Sequence, residues 1–126
     1  MKNIISSVIV LLTAIMTSCS AQTQRLNPVD FEKKTYAEQT VLIDIRTPQE
    51  FDSGHLKNAI NINFYSPSFM EEINKIGTNK NVLIYCASGN RSGQALQKLK
   101  DSSFKSLADL QGGIGAWASA GKKIVK

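Results

Sequence analysis

Histidine and cysteine are scarce in this 126-residue chain, which has one histidine, His55, and two cysteines, Cys19 and Cys86. So few nitrogen and sulfur ligands argue against a zinc-type metal site, which needs three or four convergent side chains. No metal and no cofactor are expected. Acidic residues are fewer than basic ones, leaving a formal charge of +5. The lysines and arginines are scattered and not interleaved with aromatics, so nucleic acid is not expected as a partner. No apolar run reaches the roughly 20 residues of a membrane-spanning helix. Internal repeats and low-complexity tracts are absent, and the length suits one domain.

The first residues do not read as part of that domain. Met1-Lys2-Asn3 is a short positive start, and Ile4–Met16 is largely apolar but interrupted by Ser6, Ser7 and Thr13. These are the proportions of a signal peptide. Met16-Thr17-Ser18-Cys19 resembles a bacterial lipobox, with Met16 where leucine is preferred and the small Ser18 before the cysteine. The resemblance implies a signal peptide over residues 1–18, lipidation of Cys19, and a short polar tether over residues 19–27. The protein would then be exported and held on a cell-envelope membrane through its lipid, facing the periplasm. Removing residues 1–18 takes away Lys2 and no acid, leaving a mild +4. Secretory cleavage near Ala21 and an uncleaved anchor are the alternatives. A lipidated Cys19 cannot pair, which leaves Cys86 as a lone thiol; a Cys19–Cys86 disulfide is the competing arrangement.

Residues 28–126 alternate short apolar runs with helix-like segments. Asn27-Pro28 is an N-cap followed by proline at the first helical position, opening a helix to about Ala37. Val41–Ile45 is a nearly continuous apolar run, read as a buried strand, and Thr47-Pro48-Gln49-Glu50 has the form of a capping box. A short strand follows at Ala59–Ile62. A helix carrying Phe69, Ile73 and Ile76 starts near Ser66–Ser68, and further strands are read at Val82–Tyr85 and Leu107–Leu110. A helix over Arg91–Lys100 and another around Trp117 complete the pattern. The class is α/β, a small mainly parallel sheet with helices on both faces. In such sheets sites gather at the carboxyl ends of strands, where Asp44 and Cys86 both stand.

Cys86 ends a buried strand, and a tight turn of small residues leads straight into a helix. Unpaired N–H groups and the helix dipole at that place favour a negative charge, and a cysteine thiolate is a nucleophile.

Four segments carry a family resemblance. Leu42-Ile43-Asp44-Ile45-Arg46-Thr47-Pro48-Gln49-Glu50-Phe51 resembles the first signature of rhodanese domains, and Gly54-His55-Leu56-Lys57-Asn58-Ala59-Ile60-Asn61-Ile62 the segment after it. Cys86-Ala87-Ser88-Gly89-Asn90-Arg91-Ser92 is similar to their catalytic loop, and Gly112-Gly113-Ile114-Gly115-Ala116-Trp117 to their C-terminal element. The resemblance implies a sulfurtransferase. Cys86 would take sulfane sulfur from thiosulfate or a low-molecular-weight persulfide, hold it as a persulfide, and pass it to a thiol or cyanide acceptor.

By the same resemblance, the loop Ala87, Ser88, Gly89, Asn90, Arg91 and Ser92 curls so that its N–H groups converge on the sulfur. Ser88 is a candidate hydroxyl donor. Arg91 supplies positive charge for the loop or an anionic donor, or else ties the loop to neighbouring backbone. Four residues separate Cys86 from Arg91; phosphatases on this fold carry five, so the smaller cradle favours sulfur over phosphate. Asp44 is a candidate to order the loop through Arg91, and Arg46 to guide the donor; for both, a structural ion pair in the turn is the preferred reading. His55 is read as a turn residue and Trp117 as core. The chain is expected to act as a monomer. A sulfur-carrier module and a redox-sensing thiol are the other functions that Cys86 allows.

Overall fold

The computed structural model describes residues 22–126. The signal peptide expected over residues 1–18 and the lipidation expected at Cys19 lie outside them. Five strands form one sheet: β1 (Thr23–Leu26), β2 (Thr40–Asp44), β3 (Ile60–Asn61), β4 (Asn81–Tyr85) and β5 (Ser106–Leu110). Four helices connect them, α1 (Pro28–Thr35), α2 (Pro48–Asp52), α3 (Phe69–Asn74) and α4 (Asn90–Leu99), and α5 (Gly113–Ser119) follows β5. The strand order is β1-β5-β4-β2-β3 and every pairing is parallel. Among the described residues no helix is long and apolar enough to cross a membrane.

Local signals set the helix starts. The Asn27 side chain accepts the Asp30 N–H, and Thr47 and Glu50 form the full capping box, each with proline just inside the helix. α3 starts at Phe69 without a side-chain cap from Ser68.

Strand alternation divides the core in two. Ile43, Ile45, Val82, Ile84, Cys86 and Leu107 point to the face covered by α3 and α4, where they meet Phe69, Ile73, Ala95 and Leu99. Leu42, Leu83, Tyr85, Ala108 and Leu110 point to the other face, against Phe31 of α1 and Trp117 of α5.

The tether expected over residues 19–27 is corrected from Thr23 onward. Thr23–Leu26 is an edge strand whose main chain pairs with Leu107–Leu110. Three of its four residues are exposed, so no apolar pattern marks it. Its stability comes from ladder hydrogen bonds to β5 instead.

Candidate active site around Cys86

Cys86, 1% exposed, sits just beyond the carboxyl end of β4. Gly89 N–H donates to Sγ at 3.1 Å and Ser92 N–H at 3.4 Å. The chain turns back this sharply because Gly89 adopts φ 95°, a left-handed conformation that costs glycine little. The loop is also held from behind. Ile114 N–H donates to the Cys86 carbonyl at 2.9 Å and Gly115 N–H to that of Ala87 at 3.2 Å. Contact here is so close that a Cβ on Gly113 would lie 2.5 Å from the backbone of Ala87 and Cys86.

Ser92 completes the sulfur's surroundings. Its hydroxyl lies 3.5 Å from Sγ and donates to Asp109 Oδ2 at 2.6 Å. Asp109 is fully buried. Arg25 of β1, directly opposite it in the ladder, grips its two oxygens at 3.0 and 2.9 Å. The same guanidinium donates to the Gly89 carbonyl at 2.8 Å. Gly89 is therefore clamped at both ends of its backbone, N–H on the sulfur and C=O on Arg25. The hydrogen bonding it donates to Asp109 outweighs partial burial and raises the Arg25 guanidinium above its ordinary value.

Of the loop residues singled out in the sequence, the geometry gathers Cys86, Gly89 and Ser92 most tightly. Ser88 is exposed, and the hydroxyl at the sulfur is that of Ser92 instead. Asn90 is exposed and accepts a hydrogen bond from Gln94 at 2.6 Å. Arg91 does not reach Asp44. Its two terminal nitrogens fork onto both oxygens of Glu50 at 2.8 and 3.0 Å, and its guanidinium lies 5.6 Å from the Tyr65 ring centre. That hydrogen bonding from Arg91 holds the Glu50 carboxyl down at about 2.

Asp44 and Arg46 form the structural ion pair. The Arg46 guanidinium binds Asp44 at 2.7 Å and the Gly54 carbonyl at 2.6 Å, both residues being buried. Arg46 is thus spent on the turn and does not present itself to a donor. Asp44 also accepts from the Tyr85 hydroxyl at 2.7 Å, and that hydroxyl accepts the Leu56 N–H at 3.0 Å. Burial, then the charge of Asp44, pushes the Tyr85 hydroxyl up. The physical reason is alternation. Asp44 pairs in register with Tyr85 and shares its face, whereas Cys86 points to the opposite one.

His55 stacks on Phe51, its Nδ1 lies 3.0 Å from the Phe51 carbonyl, and its backbone bridges to Val125. Trp117 packs edge-on to Phe31 within the core. Among the described residues no three His, Cys, Asp or Glu side chains are grouped as metal ligands. A cavity of about 370 Å³ opens on the α1/α5 face among Leu42, Leu56, Trp117 and Lys123, with none of the Cys86 loop in its walls.

Arg25, Asp109 and Glu50 are the residues that sequence reasoning missed as neighbours of the site. A signal existed for Asp109, an acid inside the apolar run Leu107–Leu110. Arg25 stood in a stretch without pattern, and Glu50 was read only as a cap.

The arrangement matches known proteins along most of its length. The chain is 37% identical to a sulfurtransferase of Allochromatium vinosum over 79% of this chain and 95% of that protein. It is 35% identical to a tRNA uridine(34) hydroxylase of Staphylococcus aureus over 75% of this chain, but only 31% of that longer protein. It likewise spans 61% of an uncharacterized Synechocystis relative that is 30% identical. A crystal structure of a rhodanese-related protein from Thermoplasma volcanium superposes with a TM-score of 0.71 at 27% identity, covering 81% of this chain and 97% of that one. The pattern of the rhodanese-like domain matches residues 27–120, most of the described chain, and the chain belongs to the rhodanese-like family.

Proposed function

We propose that this protein is a sulfurtransferase that carries sulfane sulfur on Cys86, from thiosulfate or a low-molecular-weight persulfide to a thiol or cyanide. The observation that supports it most is the pair of backbone N–H groups, of Gly89 and Ser92, aimed at a buried free thiol. Amides fixed in place stabilise a sulfur anion without reorganising as the reaction proceeds. The loop between Cys86 and Arg91 is short, and a cradle of that size suits one sulfur atom.

The Cys86 thiolate attacks the outer sulfur of the donor. A new S–S bond forms, the donor's own S–S bond breaks, and sulfite or a thiolate leaves with the electron pair. The acceptor then attacks the outer sulfur of the Cys86 persulfide, and Cys86 departs as thiolate. No net oxidation occurs over the cycle. Purified protein is expected to form thiocyanate from cyanide with at least one of the two donors, and Cys86→Ser to form none. Stoichiometric loading without turnover would instead favour a sulfur carrier, and thiocyanate formation surviving in Cys86→Ser would refute the proposal.

The lipobox resemblance extends the proposal to location, with the domain held at an envelope membrane through Cys19. Cys19→Ala is expected to release the protein from membranes; a variant still sedimenting with them would overturn that placement.

A further inference from the structure

We infer that Glu50 sets the charge of the sulfur donor: by holding Arg91 it selects a persulfide over the thiosulfate dianion. The inference rests on the sulfur-transfer reading of Cys86.

Two guanidinium groups stand beside the loop, and each is already matched by a carboxylate. Both terminal nitrogens of Arg91 are taken by the two oxygens of Glu50, at 2.8 and 3.0 Å. Arg25 is taken by Asp109 and by the Gly89 carbonyl. Lys98, the next cation along α4, lies two turns beyond Arg91 with its Nζ 4.9 Å from the centre of the Phe64 ring. What remains for an incoming sulfur is neutral, the N–H groups of Gly89 and Ser92.

The two donors make different demands on such a site. Thiolate attack on thiosulfate breaks its S–S bond and expels sulfite with the electron pair. Three negative charges then share the loop, one from Cys86 and two from the donor. Attack on a protonated persulfide, RSSH, forms the Cys86 persulfide and expels RS⁻, which takes up the proton from the outer sulfur. That reaction carries one negative charge throughout. With Arg91 and Arg25 each neutralised, neither guanidinium beside the loop is left free to offset the additional two, and like charges brought together are costly. Arg91 is only 15% exposed and is fixed also by Tyr65, so it does not swing out to meet a donor without breaking the fork.

The test compares wild type, Glu50→Gln and the double variant Glu50→Gln/Arg91→Gln. Glutamine keeps the capping box with Thr47, so α2 retains its start, while Arg91 is freed from its counter-charge. Each protein is mixed with thiosulfate or with 2-hydroxyethyl persulfide, and gain of sulfur on Cys86 is followed by intact mass in a single turnover. Wild type is expected to load faster from the persulfide. Glu50→Gln is expected to raise the thiosulfate-to-persulfide rate ratio about tenfold, a change equivalent to about 1.4 kcal/mol, and the double variant to bring it back. Faster loading of wild type from thiosulfate would overturn the inference whether or not the variants fold. So would a ratio unchanged in Glu50→Gln. Loading of wild type from neither donor would refute the sulfur-transfer reading itself, and the inference with it.

Discussion

Arg25→Ala tests how the edge strand supports the Cys86 loop. The substitution removes two hydrogen bonds to Asp109 and one to the Gly89 carbonyl. Asp109 has no exposed side-chain surface, while Arg25 is 48% exposed. Breaking a wholly buried ion pair costs about 3–5 kcal/mol, because one charge is left without a partner. Here half of the pair faces water, and the Ser92 hydroxyl still bonds Asp109. The expected loss is therefore about 2 kcal/mol, a fall in Tm of about 10 °C for a domain of this size. The Gly89 N–H also loses its aim, so alkylation of Cys86 by iodoacetamide should slow about threefold or more, the value of a modest hydrogen bond. Asp109→Asn in the Arg25→Ala background removes the stranded charge and should recover part of the stability. Thermal or urea unfolding of the four proteins in that cycle isolates the coupling. Arg25→Ala within about 0.5 kcal/mol of wild type, with unchanged alkylation, would refute the reasoning and reduce the contact to an ordinary surface ion pair.

Other perturbations follow from the same geometry. Gly113→Ala should destabilise by about 3 kcal/mol, because its Cβ would meet the Ala87 and Cys86 backbone at 2.5 Å with φ at 62°. Gly121→Ala, at φ 74° with open space around it, should cost only about 1 kcal/mol of backbone strain; equal losses in urea unfolding would argue against the close contact. Tyr85→Phe leaves the Leu56 N–H without its partner and should cost about 1–3 kcal/mol. Since Tyr85 lies on the face opposite Cys86, sulfur loading by the folded variant should persist; its loss would contradict the assignment of Asp44 and Tyr85 to structure alone. Arg91 holds Glu50 at about 2, below the usual carboxylate range near about 4.3. That contribution is complete above about pH 4.5 and is lost as pH falls towards about 2. The stability gap between wild type and Glu50→Gln should thus narrow on acidification, and a gap constant with pH would contradict the ion pair.

How much of this was legible in the sequence depended on the distance over which each contact forms. The turn after Cys86 could be read locally, since an apolar strand, a left-handed glycine and a helix lie within a few residues. The same holds for Asn27 and Thr47, whose caps span three residues. Asp44 also ends a strand, and chain position alone does not say whether it shares a face with Cys86. That follows from the β2–β4 register, which pairs it with Tyr85. Asp109 and Arg25 are 84 residues apart and meet only because β1 lies beside β5. Nothing in Thr23–Leu26 advertises that pairing, as its strand is polar and its exposed side chains carry no alternation.

The central claim is that Cys86 carries transferable sulfur, and intact mass reads it directly. After brief exposure to a persulfide or thiosulfate and removal of the donor, wild type should gain one sulfur atom. Cyanide or a thiol reductant should remove it, and Cys86→Ala should gain none. A wild-type mass unchanged by both donors, or the same gain in Cys86→Ala, would contradict the account.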